Sequence, residues 1–204
     1  HNHDVVNQCF RNHFPDSSSM IPNLSQQFID HPISKIFTLK TSPWNYKDKV
    51  MIIGDAAHAI APFFAMGMNL GFEDCDVFDQ MMEEHNNDLS QVIRDYGSRR
   101  KVDTDAISDM SLKNFVSLGN SNDEHYHLKW ILNRKFWQKY PDRWIPLYPM
   151  IAFSNIRLSE VKKKSEIQSY IMNKIIDNED IENFDQLNID YLFSKYIRES
   201  LSVV

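Results

Sequence analysis

Val50-Met51-Ile52-Ile53 is a short unbroken apolar run that ends at Gly54-Asp55 and passes through Ala56-Ala57-His58 and Pro62 to Gly67-Met68-Asn69. Such a run fits a strand covered on both faces, although taken alone it also fits a piece of buried helix. Gly54 and Asp55 favour the strand, because glycine lets another backbone or a ligand come close and an acid at a strand end faces a crevice. Asp55 is then an acceptor for ligand hydroxyls. Beyond the loop the pattern predicts a helix from about Met68 to His85, with Glu73, Asp74 and Asp76 near its positive end. The first amides, those of Met68 and Asn69 among them, lack partners inside the helix and can donate to an anionic or electron-rich ligand. An ordinary strand-loop-helix with a capping acid accounts for the spacing equally well.

The residue identities carry more than the spacing. Gly54-Asp55-Ala56-Ala57-His58-Ala59-Ile60, then Pro62-Phe63-Phe64 and Gly67-Met68-Asn69, leading on to Gly71-Phe72-Glu73-Asp74-Cys75, resembles the second FAD-binding motif of the flavoprotein aromatic hydroxylases, in the form found in the kynurenine 3-monooxygenase family. Ala106 to Ser111, Ile145 to Tyr148 and Phe153 to Arg157 also resemble that family, so the likeness runs from roughly Ile33 to Arg157. The fold it implies is α/β, predominantly helical as it stands: the C-terminal part of a Rossmann-like FAD-binding monooxygenase lacking the N-terminal dinucleotide-binding unit. Residues 1–45 would close a substrate domain, 46–100 form the second FAD-binding segment, 101–158 a helical substrate-site segment and 159–204 an amphipathic helical tail.

The activity the resemblance implies is FAD- and NADPH-dependent hydroxylation of L-kynurenine to 3-hydroxykynurenine with O2. In that scheme Asp55 binds the ribityl chain of FAD, Gly67 and the amides of Met68 and Asn69 meet the pyrimidine side of the flavin, and Pro62 and Phe63 line the pocket beside the ring. Asn114 and Tyr148 match the family's substrate-binding asparagine and tyrosine, Phe63 is the third substrate-binding residue the resemblance implies, and no residue is assigned as general base. The implied partners are the small-molecule substrate, O2 and the N-terminal FAD-binding segment of the same enzyme. The family's location is the cytosolic face of the mitochondrial outer membrane, with peripheral contact the alternative for a chain whose tail cannot span a bilayer, and the cytoplasm otherwise. A flavin hydroxylase for another aromatic or polyprenyl-aromatic substrate, and a non-catalytic fragment with packing surfaces for a partner, are the competing readings.

A chain of 204 residues with 42% hydrophobic content can bury a real core. Its five glycines, at 54, 67, 71, 97 and 119, form no Gly-x-Gly-x-x-Gly turn, so the ADP half of FAD has no expected site here. A C-terminal fragment or partial gene model, colourless and inactive alone, is the expectation. The net charge of -6 argues against a general nucleic-acid binder. The basic runs Arg99-Arg100-Lys101 and Lys162-Lys163-Lys164 read as solvated helix faces. Cys9 and Cys75 suggest reduced, buried thiols, and the paired histidines His1 and His3, His125 and His127 lack the company a metal needs. No apolar run reaches eighteen residues.

Elsewhere the pattern predicts helices over Val5 to Phe14 and Leu24 to Ile29, a polar break at Asp16 to Ser19, a strand at Ile36 to Leu39 and a turn at Tyr46 to Lys49, where a domain connection is expected. Leu70, Val77 and Met81 place Asp74 beside a core stripe, where it requires a partner such as Arg99 or Arg100 beyond a break at Tyr96-Gly97. In a helix from about Val102 to Leu118, Asn114 shares a face with Asp103, Ile107, Met110 and Leu118. An unpaired amide there is costly, and either a structural hydrogen bond or a ligand satisfies it. His58 is read as positional, Trp130 and Trp137 as core or interdomain packing, and Tyr148 as buried. Ile167, Tyr170, Ile171 and Ile175 mark one tail helix and Leu187, Tyr191, Tyr196, Ile197 and Leu201 another, split by the acidic stretch from Asp177 to Asp185. They cover the protein's own core, bind a partner or lie at a membrane surface. Where the family has Gly-Gln, Ala65-Met66 stands here, and a positive φ at 65 would strain alanine by about 1 kcal/mol.

Overall fold

The computed structural model describes residues 2–119, 123–179 and 187–197, and the chain divides into two compact units, residues 1–36 and 37–204. In the first unit, α1 (His3–His13) starts at Asn2, whose side chain accepts the Asp4 amide at 2.9 Å. Pro15 ends it and opens the single-turn α2 (Pro15–Ser18), so the expected polar break is partly helical. α3 (Leu24–Asp30) follows. Val6 and Leu24 are buried, and Phe10 packs on Phe28 and Phe14 with ring centres 5.9 and 5.7 Å apart.

The second unit begins without the strand expected at Ile36 to Leu39. Its extended backbone instead bonds to the loop motif, Leu39 N–H to Ala59 O at 2.7 Å and Thr41 N–H to Ala57 O at 3.3 Å. The apolar run at Val50 is a correction too. It contributes only β2 (Val50–Met51), antiparallel to β1 (Asn45–Tyr46) with Asn45 opposite Met51, around the expected turn at Tyr46 to Lys49. Val50 is 57% exposed and Ile53 38%, because no described strand or helix covers this ribbon on both faces. Trp44, buried beneath, holds it through an Nε1–H bond to Thr41 O at 3.1 Å.

After the short α4 (Asp55–His58), the helix expected from Met68 to His85 is α5 (Gly67–Glu84). The next element, α6, runs unbroken from Leu89 to Gly119, so the expected interruption at Tyr96-Gly97 is absent. A methyl carbon at Gly97 would lie 3.0 Å from Trp44 Cβ, and glycine is there for close approach of the ribbon rather than to end a helix. Val92, Tyr96, Arg100, Asp103, Ile107 and Met110 recur every three or four residues and are buried. Leu118, on the same predicted stripe, is exposed because the helix outruns its neighbours.

α7 (Glu124–Lys139), α8 (Leu147–Phe153), α9 (Leu158–Asn178) and α10 (Ile189–Leu192), which passes into a π-helical turn at Phe193–Ile197, complete the unit. The tail covers the protein's own core: Ile171, Ile175, Leu192, Phe193 and Ile197 enclose Leu132, Phe136 and Trp144. Burying each such side chain contributes about 1.5 to 3 kcal/mol. Tyr170 is exposed on the far side of α9, while Leu201 and most of the acidic stretch lie outside the described residues. A second core joins Phe64, Leu70, Ile107, Met110, Met150 and Val161.

Three further expectations are corrected. Cys9 and Cys75 are exposed, Cys75 being turned about 100° from the inward Asp74 on the same helix. Trp130 and Trp137 are 53% and 41% exposed, since Leu132 and Phe136 take the core face of α7. Arg100, read as part of a solvated basic run, is buried.

Candidate functional site

The loop motif is fastened by one carboxylate. Asp74 Oδ1 accepts Arg100 Nε–H at 2.6 Å, while Oδ2 accepts the Gly54 amide at 2.9 Å and meets His58 Nε2 at 2.6 Å. Tyr96 donates its hydroxyl to the Asp74 carbonyl at 3.2 Å, and Arg100 also reaches Glu73 at 2.7 Å. Burial pushes the Asp74 carboxyl up, but the hydrogen bonds and charges of His58 and Arg100 outweigh it and hold it below the usual carboxylate value. Burial likewise drives the Tyr96 hydroxyl well above its ordinary value. The expected internal salt bridge is thus present, with Arg100 rather than Arg99 as partner. His58 is positional, as read: it is buried between Asp74 and the Trp44 ring, 5.2 Å away.

Gly54 and His58 flank Asp55, so the backbone on both sides of that acid is tied to α5. Gly54 has φ +64° and ψ −145°, a conformation that L side chains rarely adopt. The Asp55 carboxylate is exposed and makes no hydrogen bond or ion pair among the described residues, although the Asp55 carbonyl accepts the Ala59 amide at 3.2 Å. Asp74 follows Gly67 by seven residues, so the anchored turn lies about 10 Å along the helix from its first amides. The first bond into α5 is Leu70 N–H to Met66 O at 2.9 Å, and no side chain caps the start. The amides of Gly67, Met68 and Asn69 have no hydrogen-bond partner among the described residues, and Met68 and Asn69 are exposed. An acceptor for hydroxyls and a group of donors for negative charge within one loop motif are the functions that the ribityl and pyrimidine parts of a flavin require, and the residue types present fit that group.

The loop between them is draped over α6. Ser111 donates Oγ–H to Ala61 O at 2.7 Å, Asn114 donates Nδ2–H to Phe63 O at 2.9 Å, and the Phe63 ring stacks on Phe115 at 4.5 Å. Pro62 is exposed. Ala65 does have a positive φ, +55°. Asn114 thus has the structural bond that its place on the helix demands, while its Oδ1 receives none among the described residues.

Asn114 and Tyr148, 34 positions apart in sequence, line one cavity of about 600 Å³ with Trp130, Arg134, Trp137 and Phe153. Tyr148 is 52% exposed rather than buried, because Met150 and Ile151 take the core face of α8. Arg134 was missed by the sequence reading. It lies 5.5 Å from the centre of the Trp130 ring, an i,i+4 pairing that the sequence does contain. The other motif segments act as joints. Asp109 accepts from Lys162 at 2.7 Å and from Lys40, and Asp103 accepts two bonds from Arg157 and the Ser159 amide at 3.0 Å.

A family model described as FAD binding domain matches residues 22–107, which include the acid flanked by anchored backbone and the bare helix start. Most of the chain also aligns with curated proteins. It is 40% identical over 192 residues to a kynurenine 3-monooxygenase of Flavobacterium psychrophilum, covering 93% of this chain and 43% of that protein. It is 32% identical over 205 residues to a kynurenine 3-monooxygenase of Legionella pneumophila, covering 100% and 46%, and 35% identical to one from Salinispora arenicola, covering 83% and 37%. The chain is a relative of the kynurenine 3-monooxygenases and spans less than half the length of those it matches. The recognition made from the motifs is borne out.

Proposed function

We propose that this chain supplies the second FAD-binding segment and part of the substrate site of a flavin-dependent monooxygenase that hydroxylates L-kynurenine to 3-hydroxykynurenine, with NADPH as reductant and O2 as oxidant. The observation that carries the reading is the convergence of Asn114 and Tyr148 on one cavity in a chain that aligns with kynurenine 3-monooxygenases over most of its length. In this proposal the chain is the C-terminal part of a Rossmann-like enzyme. A preceding segment holds the ADP half of the cofactor, for which no glycine-rich turn exists here.

Bound FAD supplies the redox chemistry, hydride acceptance and activation of O2, that no amino-acid side chain offers. Asp55 accepts hydrogen bonds from the ribityl hydroxyls. The amides of Gly67, Met68 and Asn69 hold negative charge on the pyrimidine side. Pro62 and Phe63 wall the ring, with Phe63 steadied by Phe115 and Asn114. Asn114 and Tyr148 orient the amino-acid end of the substrate, and the indole faces of Trp130 and Trp137 shield it from water. No side chain is assigned a proton transfer.

No helix among the described residues is long and apolar enough to cross a membrane, and the bacterial relatives lend no support to an outer mitochondrial membrane location.

The test is expression of the chain joined to the coding sequence upstream of it. A yellow protein that converts L-kynurenine with NADPH, and loses flavin when Asp55→Ala is introduced, is expected. A colourless product, or one that hydroxylates 4-hydroxybenzoate and not L-kynurenine, overturns the reading.

A further inference from the structure

Trp130, Arg134 and Trp137 follow one another at spacings of four and three residues and so share one face of α7, away from the core stripe of Leu132 and Phe136. All three line the cavity of about 600 Å³ that holds Asn114 and Tyr148. The two indoles wall that cavity, but the proposed function gives the arginine between them no part.

Arg134 is the single charged side chain among the described residues that line the cavity; no lysine, aspartate or glutamate does. Its neighbours three and four positions away along α7 are Trp130, Ile131, Trp137 and Gln138, none of them an acid. Among the described residues its side chain has neither an ion pair nor a hydrogen bond. Its contact is with the Trp130 ring, whose centre lies 5.5 Å from the guanidinium carbon. A cation on an aromatic face is held in place without using its N–H donors. The planar fork that remains matches a carboxylate with two parallel hydrogen bonds. Aromatic walls and a positive charge without a protein counter-ion thus coincide, and a ligand that joins a flat ring to an anionic end meets both.

We propose that Arg134 is a specificity-determining residue of this site: its guanidinium takes the α-carboxylate of the amino-acid substrate, so that the acid is preferred over neutral derivatives of the same ring. The assignment rests on the proposed function and adds to it the charge that Asn114 and Tyr148 lack. Because Arg134 is exposed, water competes for the guanidinium, and the preference is about tenfold.

Steady-state kinetics of the flavin-loaded full-length enzyme test it with two matched substrates, L-kynurenine and its carboxamide, which keeps the ring, ketone and ammonium but lacks the negative charge. If the amide is not turned over, its inhibition constant against L-kynurenine gives the same comparison. Arg134→Gln should raise KM for L-kynurenine about tenfold with kcat and flavin content unchanged, and should leave the amide unaffected. Arg134→Lys, which keeps the charge and loses the fork, should recover part of that loss. Lys129→Gln removes a charge from the same helix outside this cavity and should change nothing. An active parent in which Arg134→Gln leaves KM for L-kynurenine unchanged overturns this assignment alone. Equal losses for acid and amide do the same, since they mark a structural role, as does an equal effect of Lys129→Gln, which marks a general field. A parent that converts no L-kynurenine overturns the proposed function, and this assignment with it.

Discussion

Arg100 donates its Nε–H to Asp74 Oδ1 across 2.6 Å, in a place where neither side chain reaches solvent. A buried pair of this kind adds little when compared with well-packed apolar residues, but removing one partner strands the other charge. Asp74→Ala leaves His58 and the Gly54 amide without their acceptor and Arg100 Nε–H unpaired, with Glu73 its remaining carboxylate, and should destabilise the chain by about 3 to 5 kcal/mol. Arg100→Met should cost a similar amount, and the double variant less than the sum of the two. Urea denaturation of the four proteins measures this, and strict additivity would show that the two side chains act separately.

The same carboxylate predicts an acid limb to stability. His58 and Arg100 face it, with Glu73 on the far side of Arg100. Its folded pKa is held below the ordinary 3.8 despite burial, so the unfolded chain takes up its proton first as pH falls. The stabilisation is complete above that value and is lost as pH drops through the lower folded one. Asp103, also lowered by Ser159 and Arg157 against the opposing effect of burial, titrates in the same sense. Stability measured from pH 6 down to about 2 should fall steeply below about 4 in the parent and less steeply in Asp74→Asn. Parallel curves would refute the coupling.

Gly97 shows where local reading of a sequence stops. A glycine after Tyr96 looks like a helix end, yet α6 continues through it for a further 22 residues, to Gly119. The reason is Trp44, more than 50 positions away, which occupies the space a methyl group would take. Ala in place of Gly normally stabilises a helix by about 1 kcal/mol. Here Trp44 is fixed by Thr41, His58 and Tyr96 and cannot yield, so overpacking of about 1 to 3 kcal/mol should prevail. Gly97→Ala should lower the melting temperature, and a rise would mean that the ribbon adjusts freely.

What was legible follows the same division. Asn114 and Tyr148 are assigned to one site only through the family resemblance, whereas helical periods, the turn at Lys47, the need of Asp74 for a cation and the demand of Asn114 for a hydrogen-bond partner rest on residue type and short spacing. Strand pairing does not. Val50 to Ile53 has the composition of a covered strand, but coverage depends on elements elsewhere, and here the run is left largely open. The exposed Trp130 and Trp137 mislead for a related reason: their surface is apolar, yet the stripe of Leu132 and Phe136 decides which face of α7 is buried. Arg134 was overlooked because one arginine in a helix looks like a solvated charge until the aromatic cavity is seen.

Ala65 is a position where the residue and its backbone disagree. Its φ of +55° lies in the left-handed region, where a Cβ costs about 1 to 2 kcal/mol. Glycine there removes the clash but adds freedom to the unfolded chain, so Ala65→Gly should stabilise by a net amount of about 0.5 to 1 kcal/mol. For a chain of this size that is a rise of about 2 °C in melting temperature. No change, or a fall, would indicate that the loop relaxes out of the strained region.

Asn114 and Tyr148 share a cavity but should separate on stability. Asn114 donates to Phe63 O at 2.9 Å and so fastens the loop, whereas Tyr148 makes no hydrogen bond through its hydroxyl among the described residues. Asn114→Ala should cost about 1 kcal/mol because it leaves the Phe63 carbonyl without its donor. Tyr148→Phe should stay within about 0.5 kcal/mol of the parent. On the proposed function, both variants of the flavin-loaded full-length enzyme should raise KM for L-kynurenine several-fold, about 1 kcal/mol of binding for each lost hydrogen bond. Asn114→Ala alone should also lower kcat, through the loosened Phe63 beside the ring. Chemical denaturation and steady-state kinetics on the same two variants distinguish these roles. A Tyr148→Phe enzyme with unchanged KM would remove the tyrosine from the substrate site while leaving the loop anchor in place.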